Sequence, residues 1–434
     1  MTTHKPLHTF AIVWFGQLVS LAGTAMTRFA LLIWTYQQTQ QATAVALLGF
    51  FSFVPYVLVS PLAGVLADRH DRRRIMLLAD LGAGLMTIGL LTLLAADALQ
   101  IWHLYVAQAL AGLFEAFQIP AYTAATTTLV PKAHYGRISG LRSVASAASD
   151  IAAPFLAGFL LPHINLAGIL WIDVATFLIA VGSLALVRFP RLAQPPEEAL
   201  TPAWRQMHTG LRYIAARRGL LGLLLVYVGI NLFAALTYFA ILPPMILARS
   251  GGDELALGSV QGALGAGALL GGIAMSLWGG PRRKIHGALG FTAVSFLFGD
   301  LLFAVGRSLP VWLAAAVISA FFIPLLVGSY RAIWQLKVPP ALQGRVFAVQ
   351  GALQTATMPL GYLLAGPLAD RLFEPAMQPG GAWADALGWL VGTGPGAGMG
   401  LMFVGTAVCG CLMSLTGYLV PDVRLVEDRL DDFE

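Results

Sequence analysis

Apolar residues along this chain run almost unbroken for about 20 positions at a time, until a charge, a proline or a glycine pair interrupts them. That length matches a bilayer, because a helix rises about 1.5 Å per residue through a hydrocarbon core about 30 Å thick. The pattern predicts spans near 9–34, 43–67, 75–96, 101–129, 138–161, 166–187, 219–247, 255–278, 285–306, 310–336, 346–369 and 397–420. The first has no small-residue cleavage site and further spans follow it, so it reads as a retained helix and not a leader. No polar stretch between spans is long enough to fold alone. The predicted class is an all-α membrane protein with twelve transmembrane helices.

The longest polar segment follows the sixth span. It opens with Arg188-Phe-Pro-Arg191, contains Pro195-Pro196-Glu197-Glu198, and continues as an amphipathic helix from Pro202 to Arg218. This divides the chain into an N-terminal six-helix bundle at 1–187, a cytosolic linker at 188–218, a C-terminal six-helix bundle at 219–421 and an acidic tail at 422–434. One constant offset supports a duplication. The 208 residues from Val130 to Val338 also carry Gly136-Arg137 onto Gly344-Arg345, Leu156-Ala157-Gly158 onto Leu364-Ala365-Gly366, Tyr122 onto Tyr330 and Gly64 onto Gly272. Two pseudo-symmetric bundles are therefore expected. Parallel repeats with a midplane site between them are one architecture of secondary transporters, whose halves rock to alternate access.

Composition narrows the class. Only 11% of residues are charged and 58% are apolar, against roughly 25% charged in a soluble domain. With a mean hydropathy of +0.76, a soluble enzyme, a disordered chain and a disulfide-stapled secreted fold are excluded. Cys409 and Cys411 lie two apart on one helix and point to different sides, so no bridge between them is expected. Most of the 26 Lys and Arg residues lie at the termini and in the loops after even-numbered spans, whereas the opposite loops hold Arg249, Arg307 and Arg371. By the positive-inside rule both termini are cytoplasmic. The net charge of +5 is this asymmetry and implies no nucleic-acid partner. The histidines show no metal-ligand spacing and no G-x-x-x-x-G-K-[ST] loop occurs, so neither a metal nor ATP is expected.

The loop after the second span reads Gly64-Val-Leu-Ala-Asp68-Arg69-His70-Asp71-Arg72-Arg73-Arg74. This resembles the major facilitator superfamily signature G-x-x-x-D-R-x-G-R-R/K, with Asp71 where the family usually has Gly. The resemblance implies the major facilitator fold, a close helix approach at Gly64 and a charge relay at Asp68, with Arg69, Arg72 and Arg73 facing the cytosol. Ser276 stands where Asp68 would repeat, so the relay is single. Phe117-Gln-Ile-Pro120-Ala121, Leu129-Val130-Pro131, Gln343-Gly344-Arg345-Val346-Phe347 and Leu364-Ala365-Gly366-Pro367-Leu368-Ala369-Asp370-Arg371 are similar to the enterobactin-exporter and macrolide-efflux branch. That implies a drug- or siderophore-type exporter. Pro154 and Gly158 partly match the G-P-x-x-G-G pattern associated with antiporters. Gly366 to Arg371 echoes the first-loop motif, but at the outer end of span eleven, and is set aside as a lookalike.

An ionisable group at bilayer depth costs about 2.5–3.5 kcal/mol on insertion scales, which makes each one a functional candidate. Glu115 and Asp150 are the deepest carboxylates, and Arg28 lies in the outer half of span one. In the superfamily, spans one, four, seven and ten line the cavity. The resemblance therefore implies a proton-coupling role for Glu115, with Asp150 as partner or alternative and Arg28 as the competing cation. The other reading of these charges is a static ion pair. Asp80 is expected at the intracellular gate with the first-loop arginines, and the tail is expected to be solvated. Phe114, Phe117, Tyr122, Phe233, Tyr238 and Tyr330 are the expected cavity aromatics.

The reading as a whole is a monomeric, cofactor-free secondary transporter in a bacterial plasma (inner) membrane. It would use the proton gradient to expel a hydrophobic drug-like or siderophore-type small molecule. The competing classes are proton-coupled nutrient uptake and a non-transporting membrane receptor. The aromatic-rich spans count against the first and the duplication against the second.

Overall fold

A computed structural model of the chain describes residues 6–130, 134–187 and 203–433; the side chains of Asp68 and Arg69 lie outside that description, as does the linker at 188–202. Described residues form helices and no strand, which suits a chain whose backbone polar groups must be satisfied within each segment in lipid.

The first five helices are α1 (Pro6–Thr39), α2 (Ala42–Arg69), α3 (Arg72–Ala95), α4 (Ile101–Leu129) and α5 (Tyr135–Leu186). Predicted spans five and six both lie in α5. Its helical geometry is broken at Asn165, where φ is 57° and ψ is 178°, far outside the helical region. After the linker come α6 (Ala203–Ala215), α7 (Arg218–Ala234), α8 (Leu242–Ser250), α9 (Glu254–Trp278), α10 (Lys284–Val294), α11 (Leu301–Val305) and α12 (Leu309–Lys337). Then follow α13 (Pro340–Thr355), α14 (Thr357–Leu368), α15 (Glu374–Met377), α16 (Ala384–Val391), α17 (Ala397–Leu419), α18 (Pro421–Arg424) and α19 (Val426–Arg429). Three π-helical segments interrupt the second half, at Ala235–Phe239, Ser295–Asp300 and Ala369–Phe373. Among the described residues, nine helices are long and apolar enough to cross a membrane, and one of them runs through both halves of α5.

Two compact units result, one from residues 6–40 and 47–187, the other from 41–46 and 203–433. The duplication is visible in the helices themselves. Helix α4 has 29 residues and so does α12, and both of their ends are related by the same 208-residue offset. Glycine serves corresponding contacts in the two units. A Cβ on Gly112 of α4 would collide with the Ser52 carbonyl of α2, and one on Gly271 of α9 with the Phe321 carbonyl of α12. Such close backbone approach between helices in lipid requires small residues.

Two expectations change in the second unit. The amphipathic linker helix is shorter than predicted and packs down. Tyr213 Oη donates to the Lys337 carbonyl, 2.9 Å away, Ile214 is buried, and Gly210 lies against the Arg345 backbone. The acidic tail is docked through its apolar residues, while Arg424, Asp428, Arg429, Asp431 and Asp432 stay exposed. Val423 and Val426 are buried in the unit's core, and the Glu427 carboxylate accepts from the Lys284 and Ile285 amides that open α10. Lys337, itself buried, donates to the Glu427 and Leu430 carbonyls and pairs with Asp432 at 2.7 Å. A buried ammonium needs such partners, and the tail supplies them.

Candidate functional site

The charges of the first unit follow from helix periodicity. On α1, Gln17, Thr24 and Arg28 share one face, and on α4 so do Glu115, Gln118 and Tyr122, because residues seven or eleven apart realign. The two faces meet in a polar lane. Arg28 Nη2 lies 2.6 Å from Glu115 Oε2, both side chains being rather more than a third exposed, while the Arg28 Nε is buried without a partner among the described residues. Below this pair, Gln17 Nε2 donates to Asp80 Oδ2 at 2.9 Å, and Gln118 Nε2 donates to Asp80 Oδ1 and, at 3.0 Å, to Gln17 Oε1. Above it, Asp173 accepts from Thr24 at 3.2 Å and from Thr87 at 2.8 Å. The Arg28 charge also reaches Asp173, more weakly than burial and the threonine hydrogen bonds act there.

The structure therefore brings Arg28 and Glu115 together. Asp150 lies exposed on α5. Asp80 departs from expectation: its carboxylate is held by two neutral amides, and the loop arginines Arg72 and Arg73 go elsewhere. Arg72 Nη1 donates to the Ala124 carbonyl of α4, and Arg73 donates to the Leu184 and Ala185 carbonyls at the end of α5. Arg73, at the C-terminus of α5, satisfies carbonyls left without helical partners and complements the helix dipole. Asp71, in the motif's glycine position, caps α3 by accepting from the Arg73 and Arg74 amides. A Cβ on Gly64 would meet no described atom within 4 Å. Helix α5 continues through Pro154 and past the buried Gly158.

The aromatic residues separate into three groups. Phe117 and Tyr122 are partly exposed on α4, with the Arg142 guanidinium 4.8 Å from the Tyr122 ring centre. Phe114 is packed against α3, where a Cβ on Gly82 would collide with its ring. In the second unit, Phe233 packs on the core and Tyr330 is buried inside it, its ring stacked 3.6 Å from that of Tyr227. Tyr330 is thus a packing residue, contrary to the cavity role expected of it, while Phe114 is partly exposed like Phe117 and Tyr122. Tyr238 Oη donates to Asp300 Oδ1 at 2.5 Å.

The lookalike after span eleven also has an occupation. Asp370 Oδ1 and Oδ2 accept from the Ala42 and Thr43 amides at 3.0 and 2.7 Å, all within the second unit. A Cβ on Gly366 would collide with the Thr43 backbone.

This helical frame, duplicated in its helices and threaded by buried charge, is that of a polytopic membrane transporter. Residues 13–362 match the model of the Major Facilitator Superfamily, and the chain belongs to that superfamily; it is a transporter and not an enzyme. It is 29% identical over 372 residues to macrolide efflux protein A of Streptococcus pyogenes, covering 84% of this chain and 90% of that one. It is 27% identical over 369 residues to the multidrug efflux pump Tap of Mycolicibacterium fortuitum, covering 83% and 88%. Among solved structures, the nucleoside transporter NupG superposes with a TM-score of 0.69 at 12% identity, covering 94% of this chain and 99% of that one. A bacterial homologue of the human lysosomal transporter Spinster, inward-facing and unoccupied, gives 0.68 at 16% identity, covering 99% and 100%. These two likenesses show the fold.

Proposed function

We propose that this chain is a proton-coupled exporter of hydrophobic drug-like molecules, siderophore-type compounds being the second substrate class to test. It would act in a bacterial plasma membrane with both termini in the cytoplasm. The observation that carries the reading is the Arg28–Glu115 pair on the polar lane of the first unit. The kinship with macrolide and multidrug efflux proteins supports the substrate class. A proton arriving on Glu115 cancels its attraction for Arg28. The freed guanidinium has a second carboxylate within its field, Asp173. Loss of the proton restores the first pairing. The exchange gives two arrangements of one cation, which proton binding biases, and a population shift needs that difference. No resident cofactor enters this scheme.

The test is purified protein in liposomes under an imposed pH gradient, with internal pH followed while macrolides, dyes and siderophores are presented. Wild type should show substrate-evoked proton flux, and Glu115→Gln should lose it while still binding substrate. Loss in Asp150→Asn alone would move the coupling role to that residue. Substrate movement without proton flux in the wild type would overturn antiport and leave the pair a structural role.

A further inference from the structure

The second unit holds a buried carboxylate that this scheme does not use. Asp300 closes the π-helical segment 295–300 and has no solvent exposure. Tyr238, on the π-helical segment 235–239, donates to its Oδ1 at 2.5 Å, and Thr406 of α17 donates to its Oδ2 at 2.8 Å. The rings of Phe303 and Phe403 stand edge-on to Tyr238, with centres 5.9 and 5.7 Å away. Among the described residues no cation pairs with Asp300. The groups facing it are Tyr238, Thr406 and Cys411 of α17, which feels the Asp300 charge, with Ser319 of α12 against the neighbouring Gly299. Lys284 and His286 sit in the first turn of α10, and Arg331 lies about three turns beyond Ser319 on α12; Arg249 of α8 comes within a turn of Asp300 along α11 but spends its guanidinium on the Phe303, Ala304, Gly306, Val391 and Gly396 carbonyls.

Thr406 makes the arrangement reversible. Its Oγ1 is 2.8 Å from Asp300 Oδ2 and 3.1 Å from the Phe403 carbonyl, and a hydroxyl can donate or accept. With Asp300 ionised, Tyr238 and Thr406 each donate to one carboxylate oxygen. With a proton on Oδ2, the acid donates to Thr406, whose own hydrogen turns to the Phe403 carbonyl, and Tyr238 keeps its bond to Oδ1. Neither state leaves a polar atom unpaired. A buried carboxylate without a cation favours the neutral form, whereas two hydroxyl donors favour the charged form. Both partners in the Tyr238–Asp300 bond lie on π-helical turns, which recur at functional sites.

We propose that Asp300, with Tyr238 and Thr406 as positioning residues, is a reversible proton-binding site in the second unit, separate from the Arg28–Glu115 pair. The test is infrared difference spectroscopy of the purified full chain in lipid, titrated from about pH 5 to about pH 9 with no substrate present. Because no transport is involved, failure of the export reading leaves this result standing, and the reverse also holds. A carboxylic acid C=O band should disappear as pH rises in wild type and in Glu115→Gln, and be absent from Asp300→Asn. Tyr238→Phe removes a donor to the charged form and should raise the proton affinity about tenfold, one pH unit. That variant keeps the proposal testable if Asp300→Asn does not fold. A band that does not titrate, that persists in Asp300→Asn, or that is unmoved by Tyr238→Phe would overturn it.

Discussion

Asp80 in the first unit and Asp300 in the second are 4% and 0% exposed, each accepts two hydrogen bonds, and neither pairs with a cation among the described residues. Their donors differ in kind. Asp80 is held by Gln17 and Gln118, whose NH2 groups only donate. The Gln118 amide spends its two hydrogens on Asp80 and on the Gln17 oxygen, so turning either amide breaks the bond that joins the two. That clamp fits one protonation state, the carboxylate. The hydroxyl clamp of Asp300 fits two. A buried charge thus becomes a fixed structural element or a titratable one according to whether its neighbours can reverse the direction of their hydrogen bonds.

Asparagine separates the two cases most sharply. In Asp80→Asn the new NH2 meets an amide NH2 already locked by its partner, leaving a buried donor unmatched, and stability should fall by about 2–3 kcal/mol. In Asp300→Asn the new NH2 donates one hydrogen to Thr406, as the protonated acid would, and leaves only its second unmatched, so the loss should be smaller, about 1 kcal/mol. Thermal melts of the two purified variants in one detergent measure the difference. Equal destabilisation would break the comparison.

Thr406 offers a smaller and sharper test. Valine keeps the shape but removes the reversible hydroxyl, and should cost about 1–2 kcal/mol. Serine keeps the hydroxyl and should cost under about 1 kcal/mol, the worth of one buried methyl group. If valine and serine melt alike, the hydroxyl carries no weight and the site is held by Tyr238 alone.

The helices were far more legible in the sequence than the charges' partners. A bilayer imposes one length and one composition, so the spans predicted at 101–129 and 310–336 fall on α4 and α12 almost residue for residue. The Arg28–Glu115 pair was legible because each is an ionisable residue at membrane depth, and such groups seek opposite charge. Gln17 and Gln118 were not, because neutral amides in an apolar run give no charge signal. The tail misled through its acidity. Beneath six acids, Val423, Val426 and Leu430 recur at helical spacing, and that stripe docks it. Duplication also has a limit here. The offset that aligns α4 with α12 puts Ile323 opposite Glu115 and Leu236 opposite Arg28, so the frame is repeated and the chemistry is not.

The first-loop motif and its echo give the finest comparison. In the motif, Asp71 is exposed and caps α3 through the Arg73 and Arg74 amides, at 2.9 and 3.3 Å. In the echo, Asp370 caps the start of α2 from a distant part of the chain, with both oxygens, at 3.0 and 2.7 Å. Removing an N-terminal cap typically costs about 1 kcal/mol. For Asp370→Ala this should appear locally, as hydrogen exchange about fivefold faster at the Ala42 and Thr43 amides with little change elsewhere. Asp71→Ala should quicken exchange at Arg73 and Arg74 by less, since water can replace an exposed cap. Unchanged exchange at Ala42 and Thr43 would mean that close packing at Gly366, where a Cβ would strike the Thr43 backbone, holds the start of α2 by itself. In that case Gly366→Ala, and not Asp370→Ala, is the substitution that should loosen it.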